Sequence, residues 1–379
     1  MALGVAGCGS DSDRPVPQSP AEPQAALVQL SGHERERIPE VLAELRAGAF
    51  SRSAMVRDNA RIFLFLAETA SDDEVVAGSL RALRSTWTHS PRYERQMALL
   101  TPEYGAVVRL RLHDERPVVQ AAAIEAAEKT LLTDPPDERV AEELAALALA
   151  HPDPAGRLAA LEVLWNVTTL RTHPESMRPY VDALSAQQPW LVSASLFRLS
   201  GFGAAYPDAA NLRARLIELL GHDDPGVRGR AATTLSSVVG VADPARDAAG
   251  RAIEPLLRDE HPFVRSAAAT ALAWLDQRTA VPAIVALLDD SARDTYDLRG
   301  FTRLDGTPGF LHHDGSPWSR VDDAALRALQ AFSARVGGRF TFDIQQDRLD
   351  ESFASAHRTA RAWFETARGA LSTVPSAGR

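Results

Sequence analysis

The apolar positions of this chain fall at helical spacing, and the stripe they form restarts at nearly regular distances. In Pro225-Gly226-Val227-Arg228-Gly229-Arg230-Ala231-Ala232-Thr233-Thr234-Leu235 and onward, Val227, Ala231, Leu235 and Val238 recur four and three positions apart. That spacing places them on one face of an α-helix. Pro225 suits the first turn, where a backbone N–H has no intrahelical acceptor to lose. His222-Asp223-Asp224 just before it supplies side chains able to cap the start. The scheme returns at Asp259-Glu260-His261, followed by Pro262-Phe263-Val264-Arg265, Ala267-Ala268-Ala269 and Leu272. Such starts fall at Pro117, Pro154, Pro189, Pro225 and Pro262, 35–37 residues apart. Before them lie further apolar runs, at Asp137 to Ala150, Ala209 to Leu220, Ala245 to Leu257 and Ala280 to Leu288.

Each unit is therefore helix, turn, helix, and a pair of this kind buries its apolar faces only by stacking on its neighbours. Stepping the register outward makes Ala54 and Pro91 further second-helix starts, with Glu103 to Leu112 as a shortened first helix. Forward, the pattern restarts at Pro317-Trp318 after an insertion. The spacing predicts an all-α fold, an α-solenoid of about eight helix pairs. Residues 1–30 form an N-terminal tether, 31–335 the solenoid with its insertion at about 290–318, and 336–379 a C-terminal cap and tail. The cap is a helix from about Asp347 to Leu371 with Phe353, Ala360, Trp363, Phe364 and Ala367 at helical spacing.

The Pro-x-Val-Arg-x-x-Ala-Ala-x-x-x-Leu pattern at Pro225 and Pro262 resembles the HEAT repeats of bacterial proteins, with weaker copies over roughly residues 38–330. Two features depart from that family. Gln120 and Val192 stand where the arginine is expected, and the period is shorter than the roughly 40–47 residues of HEAT units. Tetratricopeptide and ankyrin signatures are absent. The resemblance implies a scaffold that holds a protein or peptide along its concave face, supplied by the second helices; it implies no activity. Arg57, Arg157, Arg228 and Arg265 share one slot. Because they track the structural register, they read as a ladder between repeats rather than a stripe gripping acidic ligands.

The single cysteine adds a second resemblance. Val5-Ala6-Gly7-Cys8 is similar to a bacterial lipobox, which implies a lipid on Cys8 and an envelope lipoprotein facing the periplasm. Ser10 to Gln24 is rich in Ser, Asp, Pro and Gln, the composition of an extended tether. No basic segment precedes Cys8, and the stretch from Met1 is too short for a signal core of 7–15 apolar residues. The expectation is a true start upstream; otherwise the chain is a cytoplasmic HEAT-repeat regulatory or adaptor subunit.

Composition narrows the chemistry. Net charge is −9, so nothing draws the chain as a whole to nucleic acid. Lys129 is the only lysine, which leaves little for Schiff-base chemistry. A phosphate-binding Gly-x-x-x-x-Gly-Lys loop is missing, and Gly201-Phe202-Gly203 lacks the third glycine of a dinucleotide fingerprint. No cofactor is expected. His113, His151, His222 and His261 fall in the turns before second helices and read as local caps. Deoxyhypusine hydroxylase, a HEAT-repeat enzyme, uses paired His-Glu motifs; the one His-Glu here is His33-Glu34.

The insertion is the best candidate for a specific site, because long glycine-punctuated loops on a rigid frame carry function. Its candidate partner-binding residues are Tyr296, Arg299, Phe301, Phe310, His312, His313 and Trp318. His312, His313 and Asp314, with Asp305, are also ligand types for a divalent metal. Adjacent histidines in an extended segment point opposite ways, which weighs against a metal-dependent enzyme. A third reading makes the loop a cover over one end of the stack, with Phe301, Phe310 and Trp318 packed inward. The sequence favours a non-catalytic scaffold.

Overall fold

A computed structural model of the chain describes residues 27–48, 56, 58–85, 91–132, 136–166, 177–201, 209–294, 301–309, 320–340 and 350–372. Among them are 17 α-helices and one short hairpin. Helices α1 (Gly32–Glu36) and α2 (Ile38–Arg46) lead. Seven pairs follow: α3 (Ala60–Thr69) with α4 (Asp73–Ser85), α5 (Pro91–Leu112) with α6 (Pro117–Leu131), α7 (Glu138–Ala150) with α8 (Pro154–Asn166), and α9 (Arg178–Ala183) with α10 (Pro189–Ser200). Next come α11 (Ala209–Leu219) with α12 (Pro225–Val239), α13 (Arg246–Ile253) with α14 (Pro262–Trp274), and α15 (Val281–Ala286) with α16 (Val321–Val336). Helix α17 (Asp350–Ser372) closes the array. The fold is an all-α solenoid.

The five periodic prolines each open a second helix, as the missing N–H at a first turn allows. Helix α13 continues as a 3-10 turn over Glu254–Arg258, where Pro255 cannot donate to the α ladder. The second helices stack directly on one another, whereas the first helices touch each other less. The second helices thus form the closer-packed, inner layer of the stack. Small residues permit the approach. Ala122, Ala123, Ala126 and Ala127 of α6 and Ala268, Ala269 and Ala271 of α14 are fully buried. A Cβ at Gly229 would lie 2.5 Å from the Phe263 ring of the next second helix.

Polar groups in the turns tie one repeat to the next. Arg228 donates to both carboxylate oxygens of Asp259, each at 2.9 Å, and to the carbonyls of His222 and Asp223 in its own turn. Arg265 donates to one carboxylate oxygen of Asp290 at 2.7 Å and to the carbonyls of Asp259 and Glu260. Arg157 donates to the His151 carbonyl; Arg57 lies outside the described residues. Gln120 takes over the role with an amide. Its Nε2 donates to the Leu112 carbonyl at 2.8 Å, and its Oε1 meets His151 Nε2 at 2.9 Å. Val192 can do neither. Three of the four turn histidines bond locally: His151 accepts from the Asp153 amide, His222 from that of Asp224 and His261 from that of Phe263, whereas His113 lies 3.3 Å from Glu143 of α7.

The outward register differs from the sequence expectation. Pro91 opens a first helix, α5, of 22 residues that runs on through Pro102, and the second helix before it is α4. The segment after Ala54 leads into another first helix, α3. A proline marks the start of either helix of a pair and does not say which. At the other end α16 begins at Val321; Pro317 lies outside the described residues. Helix α17 caps the stack with Ala360, Trp363 and Ala367 buried, and the Trp363 indole donates to the Gly337 carbonyl at 3.0 Å.

Burial pushes the Asp259 carboxyl up, but the bonds from Arg228 and the His261 amide outweigh it and hold the group below the ordinary carboxylate range. Its stabilising contribution is therefore complete above the unfolded value of about 4 and is lost as pH falls below it. Arg228→Ala is expected to lower stability by about 1–3 kcal/mol at pH 7. Urea unfolding checks this, and the deficit should shrink as the pH approaches 3.

Candidate functional site

The insertion leaves α15, prolonged by a 3-10 turn at Leu287–Asp289, and returns to α16 through a closed neck. The Val321 amide donates to the Ala292 carbonyl at 3.1 Å and the Asp322 amide to that of Asp290 at 3.0 Å. Arg293 and Arg320 form an antiparallel bridge. Arg320 grips Asp322 at 2.6 and 3.0 Å. Burial nevertheless pushes the Asp322 carboxyl up to about 6, which Arg320 only partly offsets.

Within the insertion, β1 (Phe301–Thr302) pairs antiparallel with β2 (Pro308–Gly309), Phe301 opposite Gly309. The Arg303 amide donates to the Thr307 carbonyl at 2.8 Å and the Gly306 amide to that of Arg303 at 2.9 Å. Gly306 has φ +80°. This is a three-residue tip, Leu304-Asp305-Gly306, whose last residue must be left-handed, and glycine takes that conformation without a Cβ clash. Oδ1 of Asp305 accepts from the amide and hydroxyl of Thr307 at 3.0 and 2.6 Å, which fixes the carboxylate and leaves Oδ2 pointing elsewhere. A Cβ at Gly309 would sit 2.5 Å from the Phe301 ring, so the ring lies across its partner strand.

The hairpin docks along the layer of second helices. Phe301 stacks on Trp190 of α10, ring centroids 4.8 Å apart and planes 14° from parallel. Leu304, 8% exposed, walls a cavity of about 200 Å³ with Ala121 of α6 and Ala155, Leu158 and Ala159 of α8. Oδ2 of Asp305 meets Arg81 of α4 at 3.1 Å, across 224 positions of sequence. One hairpin thus touches four successive inner helices. Arg84 of α4 is engaged sideways by Glu125 and Glu128 of α6 at 3.4 and 2.9 Å. Glu162 of α8 lines the same cavity as Arg303. Burial pushes its carboxyl up, and the charges of Arg198 and Arg303 oppose that push. Burial likewise raises Asp305, but the Thr307 bonds and the Arg81 and Arg303 charges prevail and hold it below its usual range.

The hairpin crosses the weakest seam of the array. Inner helices α8 and α10 touch less than any other adjacent pair, and Arg157 of α8, whose slot would supply the rung here, bonds the His151 carbonyl of its own turn. Arg198 bridges the seam instead, its guanidinium 5.1 Å from the centre of the Trp165 ring. Phe301 stacks on Trp190 at one side of this seam, and Leu304 faces the cavity that α8 walls at the other.

The docking energy is modest. The stacked ring pair contributes about 0.5–1.5 kcal/mol beyond its area and burial of Leu304 about 1.5–3 kcal/mol. The ion pair, with the Arg81 side chain 38% exposed, adds at most about 1 kcal/mol. Ordering the loop offsets part of that sum.

Of the sequence candidates, the structure places Phe301 in this groove. Tyr296, Arg299, Phe310, His312, His313, Asp314, Trp318 and Cys8 lie outside the described residues. Asp305 is an ion-pair partner, and no cluster of metal-ligating side chains occurs among the described residues. His33-Glu34 lies in α1, where Glu34 closes a capping box with Ser31. The hairpin of the insertion does not sit over one end of the stack; it reaches back to α4 through Asp305 and Arg81, while Phe301 stacks on Trp190 of α10. Sequence reasoning missed Trp190, Arg81, Glu162 and Leu304. The aromatic directly after Pro189 is the one local signal for Trp190; nothing in the pattern pairs it with residue 301.

Residues 214–297 match the family model described as HEAT repeats. This stretch is similar to HEAT repeats. Crystal structures of the karyopherin Kap121p share the fold. One, bound to the extreme C-terminus of the protein phosphatase Cdc14p, is 14% identical, with TM-score 0.53 over 90% of this chain and 37% of that one. Another, bound to Nup53p, is 14% identical, with TM-score 0.52 and the same coverage. An engineered protein is 17% identical over 79% of this chain and 81% of its own, with TM-score 0.41. The chain thus spans little more than a third of Kap121p. No curated protein shows a significant sequence match. No helix among the described residues is long and apolar enough to cross a membrane.

Phe301→Ala is expected to release the hairpin while leaving the helices stacked. Amide hydrogen exchange at Arg303 and Gly306 should accelerate at least about tenfold, the equivalent of about 1.4 kcal/mol, with the helical circular dichroism unchanged.

Proposed function

We propose that this chain is a non-catalytic scaffold that holds a protein or peptide partner along the concave face of its second helices. The observation that carries this reading is the docked hairpin. Four inner helices already hold an extended segment by a ring stack, an aliphatic pocket and an ion pair, the contacts that peptide recognition uses. The Kap121p structures lend support, since that solenoid, of similar fold, is bound to Nup53p in one and to a Cdc14p C-terminus in another. Photoreactive benzoylphenylalanine at Glu125, on the concave side, is expected to cross-link a partner polypeptide in the native host, and the same probe at Glu142 on α7 to give none. Cross-links from Glu142 alone, or from neither site, would contradict the scaffold.

In this reading the scaffold is held at a bacterial envelope membrane by a lipid on Cys8. The support is the Val5-Ala6-Gly7-Cys8 stretch and the Ser, Asp, Pro and Gln-rich tether after it. Three acyl chains on one residue anchor durably, at about 0.8 kcal/mol per buried methylene. Cys8→Ser is expected to move the protein from the membrane fraction to the soluble one. A free Cys8 thiol in protein from the native host would count against the anchor.

A further inference from the structure

The hairpin sets four unlike side chains against four matched places. Phe301 meets the Trp190 face, Arg303 shares a cavity with Glu162, Leu304 faces that cavity with the alanines of α6 and α8, and Asp305 meets Arg81. These places lie on four different helices in a fixed order, so the groove selects sequence order as well as composition. It is occupied without being filled: a cavity of about 200 Å³ remains beneath the tip. The neck is closed by its own backbone bonds, Val321 to Ala292 and Asp322 to Asp290. The hairpin can therefore lift without unzipping α15 from α16. The seam beneath it has its own bridge in Arg198 and Trp165, so the groove persists when the hairpin leaves.

We infer that the groove over α4, α6, α8 and α10 is the binding site for an extended or hairpin segment of a partner protein carrying an aromatic, a basic, an aliphatic and an acidic side chain in that order, and that residues 301–309 occupy it as an internal competitor. The inference rests on the scaffold reading and gives it a ligand class. A partner's apparent affinity is then reduced by the fraction of molecules whose groove is open, which makes release of the hairpin a control point.

The test uses a fluorescein-labelled peptide with residues 301–309 closed between added terminal cysteines by a disulfide. It is titrated with the full chain and with a chain bearing Phe301→Ala and Asp305→Arg. These substitutions remove the hairpin's anchors and leave every groove residue in place. The undocked chain is expected to bind at least about tenfold more tightly and to lose that binding when Trp190→Ala is added. A chain carrying Phe301→Ala, Asp305→Ala and Arg81→Asp, in which position 305 cannot pair with the reversed charge, should reject this peptide and accept one whose aspartate is replaced by arginine. Equal affinity for the two chains would overturn the competitor. No saturable binding by an undocked chain of unchanged circular dichroism would overturn the site itself. A wild-type dimer that the two hairpin substitutions dissolve would place the hairpin in a second copy and overturn the intramolecular arrangement. Cross-linking from Glu125 does not depend on this peptide. A chain that cross-links a partner there yet ignores the peptide keeps the scaffold reading and loses this one.

Discussion

A pair of short helices is too thin to bury both of its apolar faces, and the whole array follows from that shortage. Every second helix must find another second helix on each side, and the contact must be close. Buried alanines along α6 and α14, and a glycine at 229 facing Phe263, make it so. Stacking of this kind is nearest-neighbour, so stability accumulates locally from repeat to repeat. The turn ladder fixes the rotation between repeats. Arg228 and Arg265 each hold the carbonyls of their own turn and a carboxylate of the next repeat. Gln120 and His151 build the same rung with an amide and an imidazole.

Where a rung is missing, the array is at its weakest. Arg157 bonds within its own turn, and α8 and α10 are joined by the Arg198–Trp165 contact and by what lies on top of them. The hairpin lies there. The insertion thus turns a structural weakness into a groove with distinct chemistry at each helix, basic at α4, aliphatic at α6 and α8, acidic at Glu162 and aromatic at α10. A straight, evenly packed stack would offer no such variety.

Much of the fold was legible in the sequence because it is local. Proline at a first turn, apolar residues at three and four, and polar turns with Asp and His all act within one unit, and α11 to α14 follow them closely. The register failed at Pro91 and Ala54, where a start signal is common to both helices of a pair and only the neighbouring stack decides which is which. The site was legible in part. A long glycine-punctuated insertion announces itself, and Phe301 could be named. Its partners could not, since Arg81 and Asp305 are 224 positions apart and nothing periodic connects them. Arg81 and Glu162 look like ordinary surface charges until the hairpin is laid over them.

The central claim is that the hairpin of the last repeat rests on the inner helices of the early ones. Pulsed electron resonance between nitroxides at Ser85 of α4 and Thr302 of β1, in a Cys8→Ser background, measures that approach directly. A single narrow distance at the short end of the range is predicted by the account. A broad distribution at long distances would contradict it.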